Sequence, residues 1–469
     1  MRRTQLISLI LVFYTFIGAL RTPILAANRT RAVTSRLFNP GKVIDTVICQ
    51  KDPTQSYALY IPANGNKAPM PAIYFFDAHA NGSLPLNKYK SLADIYGFIL
   101  IGSNNSKNGN DWPVTDNIWR TLFDDTQSRL NINRSRIYTA GFSGGAKVAG
   151  YVALQNPRVK GVIANGAGLP DGTPAGDFNF SFTAIAGDGD MNLTELAGIT
   201  KDLDKSRTRH RIIVFDGKHE WAPVSSMSMA FTGLQFDAMK ERLLPNDSAF
   251  ISSYIAKSKN KFDAYYKTHQ LLKASQECEL SISFLYGLTT QVSWFKDRSA
   301  SLAANPLYQK QVRAQNDLLV REQNTKTEYR SHFQANDKQY WAKTIKGLKT
   351  GSETGTAESA MYRRLLAWLS LAFYSVSNHL INSNSNTEAR YFVDLYKMAD
   401  PDNSEAWYFS AILNARDNNG HAAEADLWKA AGYGFTDKTR LRQQPEFKEL
   451  QASINLSRIE SNMHGPLKK

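Results

Sequence analysis

The hydrophobic rhythm of the chain changes once. Up to about residue 243, short apolar runs bounded by turn residues alternate with longer amphipathic stretches. From about residue 245 only amphipathic stretches recur. Short continuous apolar runs read as buried strands and the stretches between them as helices. Strands are predicted at 43–49 and 57–61, joined by a Lys-Asp-Pro-Thr turn, and at 72–76, 98–101, 159–163, 180–186 and 211–215. Residues 132–136 lead into one more strand, Ile137-Tyr138-Thr139-Ala140. Helices are predicted at 89–96, 117–130, 146–155, 193–204 and 226–242. Strands alternating with helices mean a mostly parallel sheet covered on both faces. The unbroken run Ala72-Ile73-Tyr74-Phe75-Phe76 fits an interior strand of such a sheet.

The second half reads as all-helical, with helices at 249–267, 270–288, 306–334, 337–349, 358–382, 387–399, 404–417, 421–431 and 445–454. Polar breaks such as Ser383-Asn384-Ser385-Asn386 separate them. Residues 347–355 are rich in Gly, Ser and Thr but lack Gly-Lys-Ser/Thr, so they read as a loop and not a phosphate cradle. Near 387–435 the pattern has tetratricopeptide character. Trp407, Ala411, Ala423, Leu427 and Ala430 fall at that repeat's spacing, and Asp400-Pro401-Asp402 supplies the turn between repeats. Ala389 with Val393 suggests a degenerate preceding unit, and the remaining helices must cap so short an array.

The first residues stand apart. Arg2 and Arg3 precede an apolar run at 6–20, and the small residues Ala26 and Ala27 follow. This is the layout of a secretory leader, too short for a membrane span. The expected organisation is a leader at 1–27, an α/β unit at 28–245 and an α-helical unit at 246–469. The mature protein is expected to be exported, to the periplasm or beyond, without a stable membrane span.

The length of 469 residues suits two to three domains, and 42% hydrophobic with 21% charged residues is ordinary for globular proteins. The net charge of +14 includes Arg2, Arg3 and Arg21, which would leave with the leader. The rest is dispersed, which argues against a nucleic-acid footprint. The two cysteines, Cys49 and Cys278, fall in different units, so no disulfide is expected. Neither they nor the eight histidines have metal-ligand spacing, so no metal or other cofactor is expected.

Chemistry concentrates at Gly141-x-Ser143-x-Gly145, between the 137–140 strand and the 146–155 helix. This is the nucleophile-elbow pattern, a tight turn that lifts a serine above a sheet edge. A serine needs a base held by a carboxylate, and on this fold they follow in the order Ser, acid, His, each at a strand's carboxyl end. Asp188 and Asp190 follow the 180–186 strand and His219 follows the 211–215 strand. Asp190 is the preferred acid, because Asp188 is placed to cap the turn. One oxyanion donor is expected from the Gly144 amide and a second from the loop after residue 76, with Ala80 preferred and Ala78 its rival. Phe142 is expected at the pocket wall. Asn104, Asn105, Trp112 and Trp221 are candidate substrate-binding residues, because their loops should lie on the active face.

Tyr57-Ala58-Leu59-Tyr60-Ile61-Pro62, Asp77-Ala78-His79, the stretch from Arg136 to Gly145 and Gly217-Lys218-His219-Glu220-Trp221 resemble secreted esterases of the polyhydroxybutyrate-depolymerase and feruloyl-esterase type, α/β-hydrolases. The resemblance covers about 43–243, roughly half of the chain. It implies an ester hydrolase acting on a small or polymeric ester, with Ser143 and His219 in the reacting roles. The Gly-x-x-Asp pattern, met by Gly187 and Asp190, implies Asp190 as the acid. The chain departs from the family where a His-Gly pair is common and His79-Ala80 stands, and in its long helical extension. A peptidase of the same fold is the nearest alternative. A non-catalytic scaffold that holds a protein partner on the helical unit is the other.

Overall fold

The structure is a computed structural model that describes residues 38–65, 68–449 and 455–463. The predicted leader at 1–27 lies outside the described residues, as does the end of the predicted 445–454 helix.

Eight strands form one sheet: β1 (Ile44–Ile48), β2 (Ser56–Tyr60), β3 (Met70–Phe76), β4 (Ile99–Ser103), β5 (Ile132–Phe142), β6 (Val159–Asn165), β7 (Ser181–Gly187) and β8 (His210–Phe215). Their order is β1-β2-β4-β3-β5-β6-β7-β8. β2 runs antiparallel to both neighbours, and every pairing from β4 to β8 is parallel. This is the α/β-hydrolase fold. The apolar runs that announced the interior strands are buried on both faces, whereas edge strand β1 is largely exposed and β8 alternates buried and half-buried residues. Residues 71–76 and the whole of β7 are inaccessible to solvent, as interior parallel strands require.

Five helices complete the unit: α1 (Ser83–Tyr96), α2 (Trp112–Arg129), α3 (Gly144–Gln155), α4 (Leu193–Leu203) and α5 (Val224–Lys240). Two start five or six residues earlier than their apolar patterns suggest. The Asp111 side chain accepts from the Val114 amide, and a proline stands in the first turn of α2, so capping chemistry starts that helix before the apolar stripe does. α1 starts at Ser83, six residues before the predicted 89, because Pro85 and Leu86 are already buried, Leu86 in the core beside the sheet.

The remaining helices are α6 (Ser248–Lys267), α7 (Leu271–Leu285), α8 (Val292–Ala303), α9 (Pro306–His332), α10 (Lys338–Ser352), α11 (Ser359–Asn382), α12 (Asn386–Ala399), α13 (Ser404–Arg416), α14 (Gly420–Gly432), α15 (Lys438–Gln443), α16 (Pro445–Glu449) and α17 (Leu456–Ser461). No sequence expectation covered α8, whose buried apolar residues are only Phe295 and Leu302. The stretch 350–352, expected as loop alone, is the last part of α10, which extends past the predicted end at 349.

The strands stop at 215, but the first core does not end there. Ile251, Ile255 and Phe262 of α6, Phe284 of α7 and Phe295 of α8 pack in one cluster with Phe231, Leu234 and Phe236 of α5 and the sheet residues Tyr138 and Ile213. A separate core begins with Tyr329 and Trp341 and runs through α10 to α17. The 27-residue α9, about 40 Å long, joins the two: Tyr308 near its start packs on the first core and Tyr329 near its end belongs to the second. In the α13–α14 hairpin Ala411, Ala423, Leu427 and Ala430 are all buried.

Cys49 and Cys278 are free and buried. Burial pushes both thiols up to about 12. The thiolate is the reactive form, so iodoacetamide at pH 8 is expected to label neither cysteine in the native protein and both after unfolding, as read by intact mass.

Candidate active site

Every residue type predicted for chemistry sits where a strand ends. β5 carries the chain out to Phe142, paired with Asn165 of β6. The backbone then turns at Ser143, whose φ of 55° and ψ of −125° are strained for any residue but glycine. Two glycines make the turn possible. A Cβ on Gly141 would stand 2.0 Å from the Gly145 carbonyl oxygen, and one on Gly145 would stand 2.0 Å from the Phe76 carbonyl oxygen. Backbone cannot give way there as a side chain could. Gly145→Ala is therefore expected to destabilise the protein by about 3 kcal/mol or more, read as a fall in the urea midpoint at unchanged m-value.

Three side chains from three loops then meet. His219 Nε2 lies 3.0 Å from Ser143 Oγ, and His219 Nδ1 lies 3.0 Å from each oxygen of Asp190. A carboxylate only accepts, so Nδ1 carries the proton and Nε2 is left to accept from the serine hydroxyl. Asp190 is fully buried and also accepts from the Asn192 amide at 2.9 Å. Asp188 faces the other way. It accepts from the Gly217 amide and pairs with Arg363, which places it outside the chain of hydrogen bonds that reaches Ser143.

Neighbours hold His219 on both sides. The Phe142 ring lies against its ring at 4.7 Å, tilted by 39°. Gly166 passes so close that a Cβ would lie 3.0 Å from His219 Cε1. Buried Asn165 accepts from the Ala222 amide and donates to the Glu220 and Ile185 carbonyls. Tyr89 donates to the Ala222 carbonyl at 2.7 Å, and burial holds its phenol well above the usual range, in the neutral donor form. Lys88 donates to the Trp221 carbonyl at 2.8 Å, and burial pulls its ammonium below the usual lysine range.

The oxyanion side departs from expectation. The Gly144 amide opens α3, so it has no acceptor within the helix and sits at its positive end. The Ala80 amide, the preferred second donor, is turned back onto the Asp77 carbonyl at 3.2 Å, with Ala80 itself at φ 59°. The His79 amide is likewise taken by the Asp77 side chain. The rival Ala78 has an amide with no acceptor among the described residues. Ala78 rather than Ala80 is the loop residue free to donate.

Three of the four pocket candidates have other duties. Asn104 and Asn105 bond to Asp45, Ser56 and Thr54, tying their loop to the strand pair β1–β2. Trp221 is buried beneath the site, its indole N–H donating to Asp77 at 2.9 Å. Trp112 remains 41% exposed, stacked on Tyr151 of α3 at 4.4 Å. A different residue of the 104–109 loop reaches the elbow. A Cβ on Gly144 would meet the Asn108 side-chain oxygen at 1.8 Å, and the Asn108 amide bonds the Ala78 carbonyl at 2.9 Å. Its only signal in the sequence is its place in a polar loop after a strand. Among the described residues, no group of three or more His, Cys, Asp or Glu side chains is placed to share a metal ion, and no helix is long and apolar enough to cross a membrane.

No family model matches the chain. Acetylxylan esterase A of Emericella nidulans is 26% identical over 148 residues, 28% of this chain and 49% of that protein. The chain thus spans about half the length of this curated relative. Among solved structures, an esterase of Pyrobaculum calidifontis is 13% identical at a TM-score of 0.34, over 44% of this chain and 86% of that one. A truncated carbohydrate esterase from gut microbiota is 15% identical at 0.35, over 42% and 97%. A ferulic acid esterase is 15% identical at 0.34, over 42% and 97%. At these scores the likenesses carry no argument of their own. The strand order itself makes the first half of the chain an α/β-hydrolase fold, followed by an all-helical region.

Proposed function

We propose that this protein is a serine hydrolase that cleaves carboxylic esters through an acyl-enzyme. The hydrogen-bonded chain Ser143–His219–Asp190 carries the proposal. Ser143 Oγ attacks the ester carbonyl carbon while His219 Nε2 takes its proton. The carbonyl oxygen becomes an oxyanion, met by the Gly144 and Ala78 amides. Collapse of the tetrahedral adduct expels the alcohol, which receives the proton from His219. Water, deprotonated by the same imidazole, attacks the acyl-enzyme, and the acid leaves as Ser143 regains its proton. Asp190 holds the imidazole in the tautomer that can do this and stabilises its protonated form.

What favours an ester over a peptide is the likeness to a protein named as an acetylxylan esterase. A screen with acetyl, feruloyl and dipeptide substrates tests the choice. Turnover of acyl or feruloyl esters with no dipeptide cleavage is expected, and the reverse would favour the peptidase. A scaffold reading is disfavoured by the strained serine, which a site without chemistry has no reason to retain. Export belongs to the same proposal and rests on the leader-like residues 1–27. The α13–α14 hairpin supports a single tetratricopeptide-like unit through its buried small residues.

A further inference from the structure

The helical region bonds to the acid-bearing loop at Asp188. Two consecutive arginines of α11, 175 and 176 positions away in sequence, converge on Asp188. Arg363 Nη2 lies 3.0 Å from Asp188 Oδ2, and Arg364 Nη1 donates to the Asp188 backbone carbonyl at 2.6 Å. Arg364 cannot swing away freely. Its side chain is buried and forked onto the buried Glu322 of α9 at 2.7–2.8 Å, and Glu322 is bridged in turn by the buried Lys326 at 2.7 Å. A Cβ on Gly189 would lie 3.1 Å from the Arg363 side chain, so the loop runs directly beneath α11.

Asp188 also couples the two loops that must meet. Its amide donates to the Phe215 carbonyl at 2.8 Å, and its Oδ1 accepts from the Gly217 amide at 3.2 Å. The Gly189 amide donates to the Gly217 carbonyl at 2.9 Å. Asp190 follows at once on one side of this stitch, and His219 stands two residues beyond it on the other.

We infer that the helical region is a strut for the acid of the site: Arg363 and Arg364 are positioning residues that fix Asp188, and through it set Asp190 against His219. The inference rests on the proposed triad. The arginines bond to Asp188, Glu322 and the Ser352 carbonyl and to neither Ser143 nor His219, so their loss is expected to lower kcat and leave KM nearly unchanged.

A double-mutant cycle on the full chain tests it. Arg364→Ala is expected to lower kcat for an ester by about tenfold to a hundredfold, the cost of a misplacement near 1 Å, and Arg364→Lys, which keeps one N–H for the Asp188 carbonyl, to recover part of the loss. In the Asp190→Asn background the same substitution should cost nothing further, because the group it positions no longer acts. If Arg364→Ala lowers the melting temperature too far to assay, Arg363→Ala enters the cycle instead, its side chain being 35% exposed. Wild-type kcat in the arginine variants, or losses that multiply in full with Asp190→Asn, would overturn the strut alone. A wild-type kcat for Asp190→Asn by itself would overturn the triad beneath it.

Discussion

Ser143→Ala should reduce kcat for ester hydrolysis by about 10⁴–10⁶-fold while the protein folds normally. The loss is this large because in the proposed mechanism the hydrogen-bonded Ser143, His219 and Asp190 act as one unit, so losing the nucleophile forfeits the contribution of all three. Ser143→Gly separates function from stability at the same site. Glycine tolerates φ 55°, which costs any other residue about 1–3 kcal/mol, so this variant should lose activity equally and melt no lower than the wild type. The assay is steady-state kinetics beside a thermal melt. A Ser143→Ala protein that still turned over esters at a tenth of the wild-type rate would place the nucleophile elsewhere.

Asp190→Asn should lower kcat by about 10⁴-fold, whereas Asp188→Asn should cost far less. The asparagine at 190 can present an N–H to Nδ1 and so select the wrong imidazole tautomer, with Nε2 protonated and unable to accept from Ser143. Asp188 has no such role. Its Oδ1 accepts from the Gly217 amide, which an asparagine oxygen also does, and only the Arg363 ion pair is lost. Equal losses at 188 and 190 would contradict the assignment of the acid.

How much of this was legible in the sequence depends on which property of a residue mattered. Ser143, Asp190 and His219 were legible because each follows an apolar run, and an apolar run fixes the sheet edge at which its loop emerges. Asn104, Asn105 and Trp221 follow the same rule, yet their side chains turn inward, toward β1–β2 and Asp77. Position after a strand is written in hydrophobic pattern, but the direction of a side chain in a loop is not. The oxyanion loop shows the same limit. Ala78 and Ala80 are alike in sequence, and only the turn that commits Ala80 to the Asp77 carbonyl separates them. The boundary between cores was hidden for another reason. Strand periodicity ends at 215, but α6 to α8 bury their apolar faces against α5 and the sheet, and an amphipathic pattern does not name the surface it will cover. The Arg363–Asp188 pair joins residues 175 apart, beyond the reach of any local signal.

The central claim is that Ser143 is an activated nucleophile, and covalent labelling tests it most directly. A fluorophosphonate incubated with the folded protein should add one adduct mass, mapped to the peptide containing Ser143, with none on the Ser143→Ala variant and greatly slowed labelling on a His219→Ala variant. An unlabelled wild type, or equal labelling of the Ser143→Ala protein, would contradict the account.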